Sequence, residues 1–236
     1  GRILLGHEVV AIRPLRSGVE VLVEHAGERT RLAADRLVLC GGLHVDRLAR
    51  MAGGDPNPRI VPFRGEYHLL APERRDLVRG LVYPVPDPTL PFLGVHLTRR
   101  VDGSVDVGPN AVLATAREGY RLRDVAVPDL LETLTWPGMR PVAARHWRTG
   151  AAEVLGSVSA RRFAAAARRY VPELRDADLV PGGAGVRAQA VGRDGSLVDD
   201  FVIERLGPVT AVRNAPSPAA TSSLAIAEEV VGRLGR

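Results

Sequence analysis

An arginine, a glycine turn and a hydroxyl-rich segment follow one another near the end of this 236-residue chain. Arg187 lies in an apolar run, Asp194-Gly195 marks a tight turn, and residues 214–223 precede a segment with apolar periodicity. A guanidinium binds a planar carboxylate through two parallel hydrogen bonds. The start of a helix offers unpaired N–H groups and a partial positive charge. This order predicts a site that holds an acidic substrate beside a group that gains negative charge on reduction.

Other polar side chains interrupt predicted strands. Arg64 lies in the apolar run Val61-Pro62-Phe63-Arg64-Gly65, where a guanidinium needs an anionic or carbonyl partner. His96 also lies in a predicted strand, and a neutral imidazole with a pKa of about 6.5 can accept a hydroxyl proton. A hydrogen-bonded structural histidine fits the same position. Tyr83 and Asn110 stand at turn edges, where each side chain either orients a substrate or caps a strand end.

The composition excludes several classes of function. The chain contains no lysine, so neither a Schiff-base nucleophile nor a phosphate-loop lysine is available. The net charge is +5, but the arginines are scattered among 27 acidic residues with four Phe and four Tyr, which argues against nucleic-acid binding. The histidine, cysteine and carboxylate spacings are not those of a metal site.

The single cysteine, Cys40, rules out an intramolecular disulfide, and we therefore expect a cytoplasmic protein. No apolar run approaches the roughly 18 residues that span a membrane. Arg161, Arg162, Arg168 and Arg169 form a basic helix face that is either solvated or in contact with acidic lipid. Peripheral contact with the inner face of the cell membrane therefore stays open.

The apolar periodicity predicts a mixed α/β (α+β) fold. Short strands at 7–14 and 18–24 form a meander, and a doubly buried strand at 37–40 ends in Gly41-Gly42 before a helix over 43–51. The middle of the chain is predicted as an antiparallel sheet with strands at 60–70, 81–85, 92–100 and 104–107. Helices are predicted over 128–174 and from residue 216 onwards, with strands at 185–190, 201–204 and 209–212 between them.

Six sequence blocks carry a resemblance to a known family. They are Pro62-Phe63-Arg64-Gly65-Glu66-Tyr67, Tyr83-Pro84-Val85-Pro86-Asp87-Pro88, Phe92-Leu93-Gly94-Val95-His96-Leu97-Thr98, Val107-Gly108-Pro109-Asn110-Ala111, Ser196-Leu197-Val198-Asp199-Asp200-Phe201 and residues 214–223. The blocks resemble those of the L-2-hydroxyglutarate oxidase (dehydrogenase) family, whose fold is similar to that of D-amino-acid oxidase. The likeness extends from about residue 3 to the end of the chain.

This resemblance implies an FAD-dependent oxidation of L-2-hydroxyglutarate to 2-oxoglutarate by hydride transfer to flavin N5, with oxygen or a quinone as the electron acceptor. It also implies an incomplete, Rossmann-like FAD-binding domain at 1–55 and 180–236. A substrate-binding domain at 56–179 would consist of an antiparallel sheet capped by helices. A related amino-acid or amine oxidase, or a non-catalytic basic interaction module, remains an alternative.

The same resemblance implies roles for individual residues. His96 would be the catalytic base, and the substrate would be bound by Arg187, Arg64, Tyr83 and Asn110. FAD would be bound by Val9, Gly41, Gly42, Leu43, Pro216, Ser217, Pro218, Ala219, Ala220, Thr221 and Ser222. The helix start after residue 216 would face flavin N1 and C2=O and stabilise the reduced anion.

One family motif is missing from this sequence. The Gly-x-Gly-x-x-Gly segment that seats a dinucleotide pyrophosphate on a helix does not occur, since Gly182-Gly183-Ala184-Gly185 has another spacing and precedes a strand. We therefore expect the chain to be the C-terminal part of a longer enzyme. By itself it is expected to bind FAD poorly.

Overall fold

The computed structural model describes four stretches of the chain, residues 1–85, 94–157, 159–216 and 219–234. The first nine strands are β1 (Glu8–Leu15), β2 (Gly18–His25), β3 (Glu28–Ala34), β4 (Leu37–Leu39), β5 (Arg59–Leu70), β6 (Leu81–Val82), β7 (His96–Arg99), β8 (Val105–Gly108) and β9 (Val112–Leu113). The remaining strands are β10 (Leu179–Val191), β11 (Val202–Leu206) and β12 (Val209–Asn214). The α-helices are α1 (Val45–Met51), α2 (Val127–Leu134), α3 (Met139–Ser157), α4 (Ala160–Ala167) and α5 (Ser223–Leu234).

The chain divides into two compact units. The first unit consists of Gly1–Val61 and Ala188–Arg236, and the second consists of Pro62–Arg187. Strands β5 and β10 run across the boundaries. The prediction that these parts bind FAD and substrate, respectively, stays a prediction.

Two small sheets form the first unit. Strands β1, β2 and β3 make an antiparallel meander, as the sequence predicted. Val19, Val21 and Val23 of β2 are buried, and their alternation with less buried neighbours is the period-two pattern of a half-buried strand. The turn before β2 requires glycine, since Gly18 has a φ of +103° and an added Cβ would lie 2.5 Å from the carbonyl oxygen of Ala34.

The second sheet of this unit has the order β11-β12-β4, with β12 parallel to β4 and antiparallel to β11. Leu39 of β4 and Val209 and Ala211 of β12 pack with Val45 and Ala49 of α1 in one apolar core. The short apolar β4 is thus covered by a helix, which is the arrangement expected of parallel strands. It confirms the predicted succession of strand, glycine turn and helix.

An antiparallel sheet organises the second unit, with the order β10-β5-β8-β7-β6 and with β9 also paired to β5. Leu97 of β7 and Val107 of β8 are fully buried. They pack with Phe163, Ala164 and Ala167 of α4, so this helix covers one face of the sheet. The predicted mixed fold class is confirmed.

Several boundaries differ from the sequence prediction. Helix α4 ends at Ala167, although the predicted helix continues to Leu174. Pro172 contributes to this early end, because it has no N–H to donate to the carbonyl of Arg168 and its ring clashes with that carbonyl in a helix. The last helix begins at Ser223, and residues 219–222 form turns instead of helix. Among the described residues, no helix combines the length and the apolar character needed to cross a membrane.

Candidate functional site

A group of polar side chains lies on the face of the second unit's sheet that α4 leaves uncovered. Successive side chains of a strand point to opposite faces. Because Leu97 packs towards α4, His96 and Thr98 on the same strand point away from it. Asp106 is the register partner of Thr98 and shares this face, as does Tyr67, which neighbours the α4-facing His68. We call these four residues, together with Tyr83, the polar face.

His96 is held by two interactions on the polar face. Its Nδ1 lies 3.1 Å from the carbonyl oxygen of Gly94. Its ring stacks on the Tyr83 ring, with the centroids 4.3 Å apart and the planes inclined by 18°. Burial lowers the pKa of His96 below its usual value, while the Gly94 hydrogen bond and the Asp106 carboxylate act in the opposite direction. The imidazole is therefore neutral at neutral pH, as a proton acceptor must be.

Asp106 supplies the negative charge of the polar face. The residue is buried, with 7% of its surface exposed, and its Oδ2 accepts a hydrogen bond of 2.5 Å from Nε of Arg100. Its Oδ1 is buried and has no hydrogen-bond partner among the described residues. Burial raises the pKa of Tyr67, and the Asp106 charge raises it further. The Tyr67 phenol therefore stays protonated and can donate a hydrogen bond.

Arg64 and Asn110 converge on Glu66. Nη2 of Arg64 lies 3.1 Å from Oε1 of Glu66, and Nδ2 of Asn110 donates to Oε2 at 3.1 Å. The side-chain oxygen of Asn110 accepts from the backbone N–H of Glu66 at 2.7 Å, and the Ser157 hydroxyl donates to Oε2. Arg64 is 3% exposed, and its Nε lacks a partner among the described residues. Glu66 thus supplies the anion that the buried guanidinium of Arg64 needs. The role of Arg64 and Asn110 in substrate binding stays a prediction.

Arg187 lies near the end of β10 and is solvent-exposed. Neighbouring chain still removes part of the water around its guanidinium, and this burial lowers its pKa below the usual value. The side chain remains cationic at neutral pH, because an arginine is not deprotonated in proteins. Its predicted convergence with the start of α5, which belongs to the other unit, stays a prediction.

A cavity of about 540 Å³ lies in the first unit, between the ends of β4 and β12 and helix α5. Three of the predicted cofactor-binding residues, Gly42, Ala219 and Ala220, line it. Gly42 has a φ of +50°, a conformation that other residues seldom adopt, and it begins the turn into α1. Ligands of open α/β sheets bind outside the carboxyl ends of parallel strands. The apolar lining and the glycine turn therefore fit part of a planar, dinucleotide-type cofactor.

The other predicted cofactor-binding residues lie elsewhere in the first unit or outside the described residues. Gly41 packs against α1, where an added Cβ would lie 2.5 Å from Cδ1 of Leu48. Val9 and Leu43 are half-buried and pack against the core. Pro216 is half-buried, and the turn residues Thr221 and Ser222 are exposed. Ser217 and Pro218 lie outside the described residues, as do residues 86–88 and 92–93 of two family blocks.

Thr98, Asp106 and Glu66 were missed by the sequence analysis. Thr98 and Asp106 each alternate with a valine or leucine that is buried, so a strict period-two interpretation of β7 and β8 would have placed them beside His96. Glu66 follows Arg64 by two residues and therefore shares its face of β5. Opposite charges two apart in a strand are the available signal for this pair.

Comparison with known proteins supplies the family. The family described as "DAO: FAD dependent oxidoreductase" matches residues 1–233. L-2-hydroxyglutarate dehydrogenase of Escherichia coli strain K12 is 46% identical over 234 residues, which are 99% of this chain and 55% of that protein. The namesake from Indibacter alkaliphilus is 45% identical over 227 residues, which are 96% of this chain and 56% of that protein. The chain thus spans about half the length of the curated relatives that it matches.

Solved structures agree at the level of the fold. The FAD-bound L-alpha-glycerophosphate oxidase of Mycoplasma pneumoniae superposes with a TM-score of 0.64 at 18% identity, over 98% of this chain and 50% of that chain. Glycerol-3-phosphate dehydrogenase of Bacillus halodurans, complexed with FAD, gives a TM-score of 0.54 at 14% identity, over 97% of this chain and 39% of that chain. With a family match over nearly its whole length and this fold, the chain belongs to the FAD-dependent oxidoreductase family.

Proposed function

We propose that the protein containing this chain oxidises L-2-hydroxyglutarate to 2-oxoglutarate with FAD. The observation that carries the proposal is the identity of 45–46% with two bacterial proteins named L-2-hydroxyglutarate dehydrogenase, over almost the whole of this chain. The neutral, half-buried His96 supports the proposal, because an unprotonated imidazole can accept the proton of an alcohol.

The first unit would hold the cofactor. The backbone at Gly41 and Gly42 and the segment from residue 216 to residue 222 would surround it, with Ala219 and Ala220 at the cavity wall. When bound, FAD supplies the acceptor for the two electrons that leave the substrate as a hydride. The N–H groups at the start of α5 favour negative charge in their vicinity, because the helix dipole is positive at that end.

The second unit would bind and deprotonate the substrate. Nε2 of His96 accepts the proton of the C2 hydroxyl, while the hydrogen on C2 departs with its electron pair, leaving a carbonyl group at C2. Arg187 binds one carboxylate through its two parallel N–H donors.

Arg64 remains the candidate for the second carboxylate, with Asn110 and Tyr83 as orienting residues. To take this role, Arg64 would release the Glu66 carboxylate and bind the substrate carboxylate instead. Glu66 would keep its hydrogen bonds from Asn110 and Ser157. The hydroxyl of Tyr83 lies 3.0 Å from the hydroxyl of Thr98 and is hydrogen-bonded to it. Tyr83 would therefore contact a substrate through its ring edge, or through its hydroxyl once the bond to Thr98 is broken.

Turnover of the full-length protein tests this proposal. We expect activity with L-2-hydroxyglutarate, and an Arg187→Met variant should raise KM for this dicarboxylate about tenfold to a hundredfold, since a lost charged hydrogen bond is worth about 1.5–3 kcal/mol. Arg161→Met, on the solvated face of α4, is the matched control and should leave KM unchanged. Turnover of amino acids instead of 2-hydroxy acids would replace the proposal with an amino-acid oxidase.

The electron acceptor and the location of the protein are separate predictions. Oxygen consumption without added acceptor would identify oxygen, whereas activity that needs added ubiquinone analogue would identify a quinone. Peripheral membrane contact predicts co-sedimentation with vesicles of anionic phospholipid and not with zwitterionic vesicles. Absence of the protein from both pellets would contradict it.

A further inference from the structure

Three side chains of the polar face form a connected chain of contacts. The Thr98 hydroxyl lies 3.0 Å from the hydroxyl of Tyr83, and the Tyr83 ring stacks on His96 at 4.3 Å. Thr98 and His96 are two residues apart on β7 and therefore project from the same side of the strand. Thr98 is thus linked to His96 through Tyr83 and not only through the backbone.

The hydrogen bond to Gly94 fixes the tautomer of His96. A carbonyl oxygen only accepts hydrogen bonds, so Nδ1 of His96 must carry the proton in this contact. In the neutral ring the lone pair then lies on Nε2. The stacked Tyr83 ring fixes the plane of the imidazole. The hydrogen bond to Gly94 determines that Nδ1 is the nitrogen on the Gly94 side. Together they leave Nε2 directed away from Gly94 in one defined orientation.

We propose that Thr98 is a positioning residue that holds the Tyr83 ring against His96 and thereby keeps Nε2 of His96 aligned as the proton acceptor. The catalytic part of this inference rests on the proposed function. Threonine suits the task because its β-branched side chain is restricted at χ1, so its hydroxyl occupies few directions. Without that hydroxyl, Tyr83 loses its anchor and the imidazole can rotate and become hydrated.

The charged and titratable neighbours of His96 are few among the described residues. Asp106 on β8 faces it across the sheet, Tyr67 on β5 and Tyr83 after β6 are phenols, and Arg100 neutralises part of the Asp106 charge. Of these, Tyr83 alone stacks on the imidazole. If the Tyr83 ring moved off the imidazole, water would therefore hydrate His96, and no charged group would be lost.

Histidine NMR of the full-length protein tests the positioning directly. The ¹⁵N signals of His96, assigned by their loss in His96→Gln, should show a protonated Nδ1 and an unprotonated Nε2 in the parent protein. In Thr98→Val this tautomer should become less populated, and the pKa of His96 should rise towards its usual value because burial is lost. Thr98→Ser keeps the hydroxyl and should restore the parental signals.

Tyr83→Phe removes the tyrosine hydroxyl from the Tyr83–Thr98 hydrogen bond and keeps the aromatic ring. If the two hydroxyl groups act as one unit, Thr98→Val and Tyr83→Phe should have equal effects, and the double variant should be no worse than either. We expect each to lower kcat about fivefold and to move the acidic limb of kcat/KM to higher pH. Thr115→Val, which removes a hydroxyl bond of 2.7 Å to the carbonyl of Asp124, is the matched control and should leave both readouts unchanged.

The outcomes separate this inference from the proposed function. Unchanged His96 signals in a folded Thr98→Val or Tyr83→Phe variant would overturn the inference, and circular dichroism establishes the folding. Altered signals together with full turnover in His96→Gln would support the positioning by Thr98 but overturn the role of His96 as base. Altered signals with a parallel loss of kcat would support both.

Discussion

Among single residues of the polar face, the charge of Asp106 and the burial of His96 together set the pKa of the His96 imidazole. Burial disfavours the charged imidazolium, and the Asp106 carboxylate partly compensates for this effect. The balance keeps the pKa of His96 below its usual value, so the imidazole is unprotonated at neutral pH. The carboxylate of Asp106 is in turn paired with Arg100, whose Nε lies 2.5 Å from Oδ2.

Replacing Asp106 with Asn should therefore lower the pKa of His96 further, because the compensating negative charge is lost while the burial remains. The acidic limb of kcat/KM should move to lower pH in the Asp106→Asn variant. The measurement is the pH–rate profile of the full-length protein. Asp102→Asn is the control, since Asp102 bonds to Ser104 in the hairpin turn and not to the polar face. A limb that moves to higher pH in Asp106→Asn would contradict the assignment.

The sequence predicts His96, but not its neighbours, for a physical reason. A lone imidazole in an apolar strand is conspicuous, whereas Thr98 becomes relevant only because the hydroxyl of Tyr83, which follows β6, lies 3.0 Å from its own hydroxyl. Likewise, the sequence predicts that Arg64 needs an anionic or carbonyl partner and that Asn110 stands at a turn edge, but their common partner Glu66 lies 44 residues from Asn110. Such pairing depends on the sheet register, which the local pattern does not specify.

At the scale of secondary-structure elements, the turn from β4 into α1 sets the wall of the cavity in the first unit. Gly42 is favoured by its positive φ, and a Cβ at Gly41 would displace Cδ1 of Leu48. Local sequence was sufficient to predict this element, because an apolar run ending in two glycines before a helical pattern is distinctive. Helix α5 was placed less well, since prolines and hydroxyl residues suit both a helix start and a turn.

Replacing Gly42 with Ala should destabilise the chain by about 1–2 kcal/mol, the typical cost of left-handed backbone for a residue with a Cβ. Gly150→Ala is the matched control, since this glycine lies in helix α3 with open space around it. It should stabilise the chain by about 0.5–1 kcal/mol. Urea unfolding measures both. Equal effects of the two substitutions would show that the Gly42 conformation is not strained for alanine.

At the scale of the whole molecule, two separate apolar cores stabilise the two units. The core of the second unit includes a titratable contact, because His68 packs against Phe163 with ring centroids 4.4 Å apart. Burial lowers the pKa of His68, and Nδ1 has no hydrogen-bond partner among the described residues. The folded state therefore excludes a proton that the unfolded chain binds.

This difference predicts that the free energy of unfolding falls as the pH decreases below about 6.5, the pKa of an unfolded histidine. Between that value and the lowered pKa of the folded state, the unfolded chain binds more protons, so acid favours unfolding. His68→Phe should flatten this dependence, whereas Gly150→Ala on α3, which changes no titratable group, should not. Urea titrations at several pH values measure it, and equal slopes in the parent and His68→Phe would exclude His68 as the cause.

Anaerobic reduction of the purified full-length protein tests whether this chain contributes the proton acceptor and the acid-binding groups of an FAD-dependent enzyme that oxidises L-2-hydroxyglutarate. We expect a visible flavin spectrum that bleaches when L-2-hydroxyglutarate is added, with bleaching slowed about a hundredfold or more by His96→Gln, in line with the usual contribution of a general base. A flavin spectrum that L-2-hydroxyglutarate leaves unchanged while an amino acid bleaches it, or a folded protein without flavin, would contradict it.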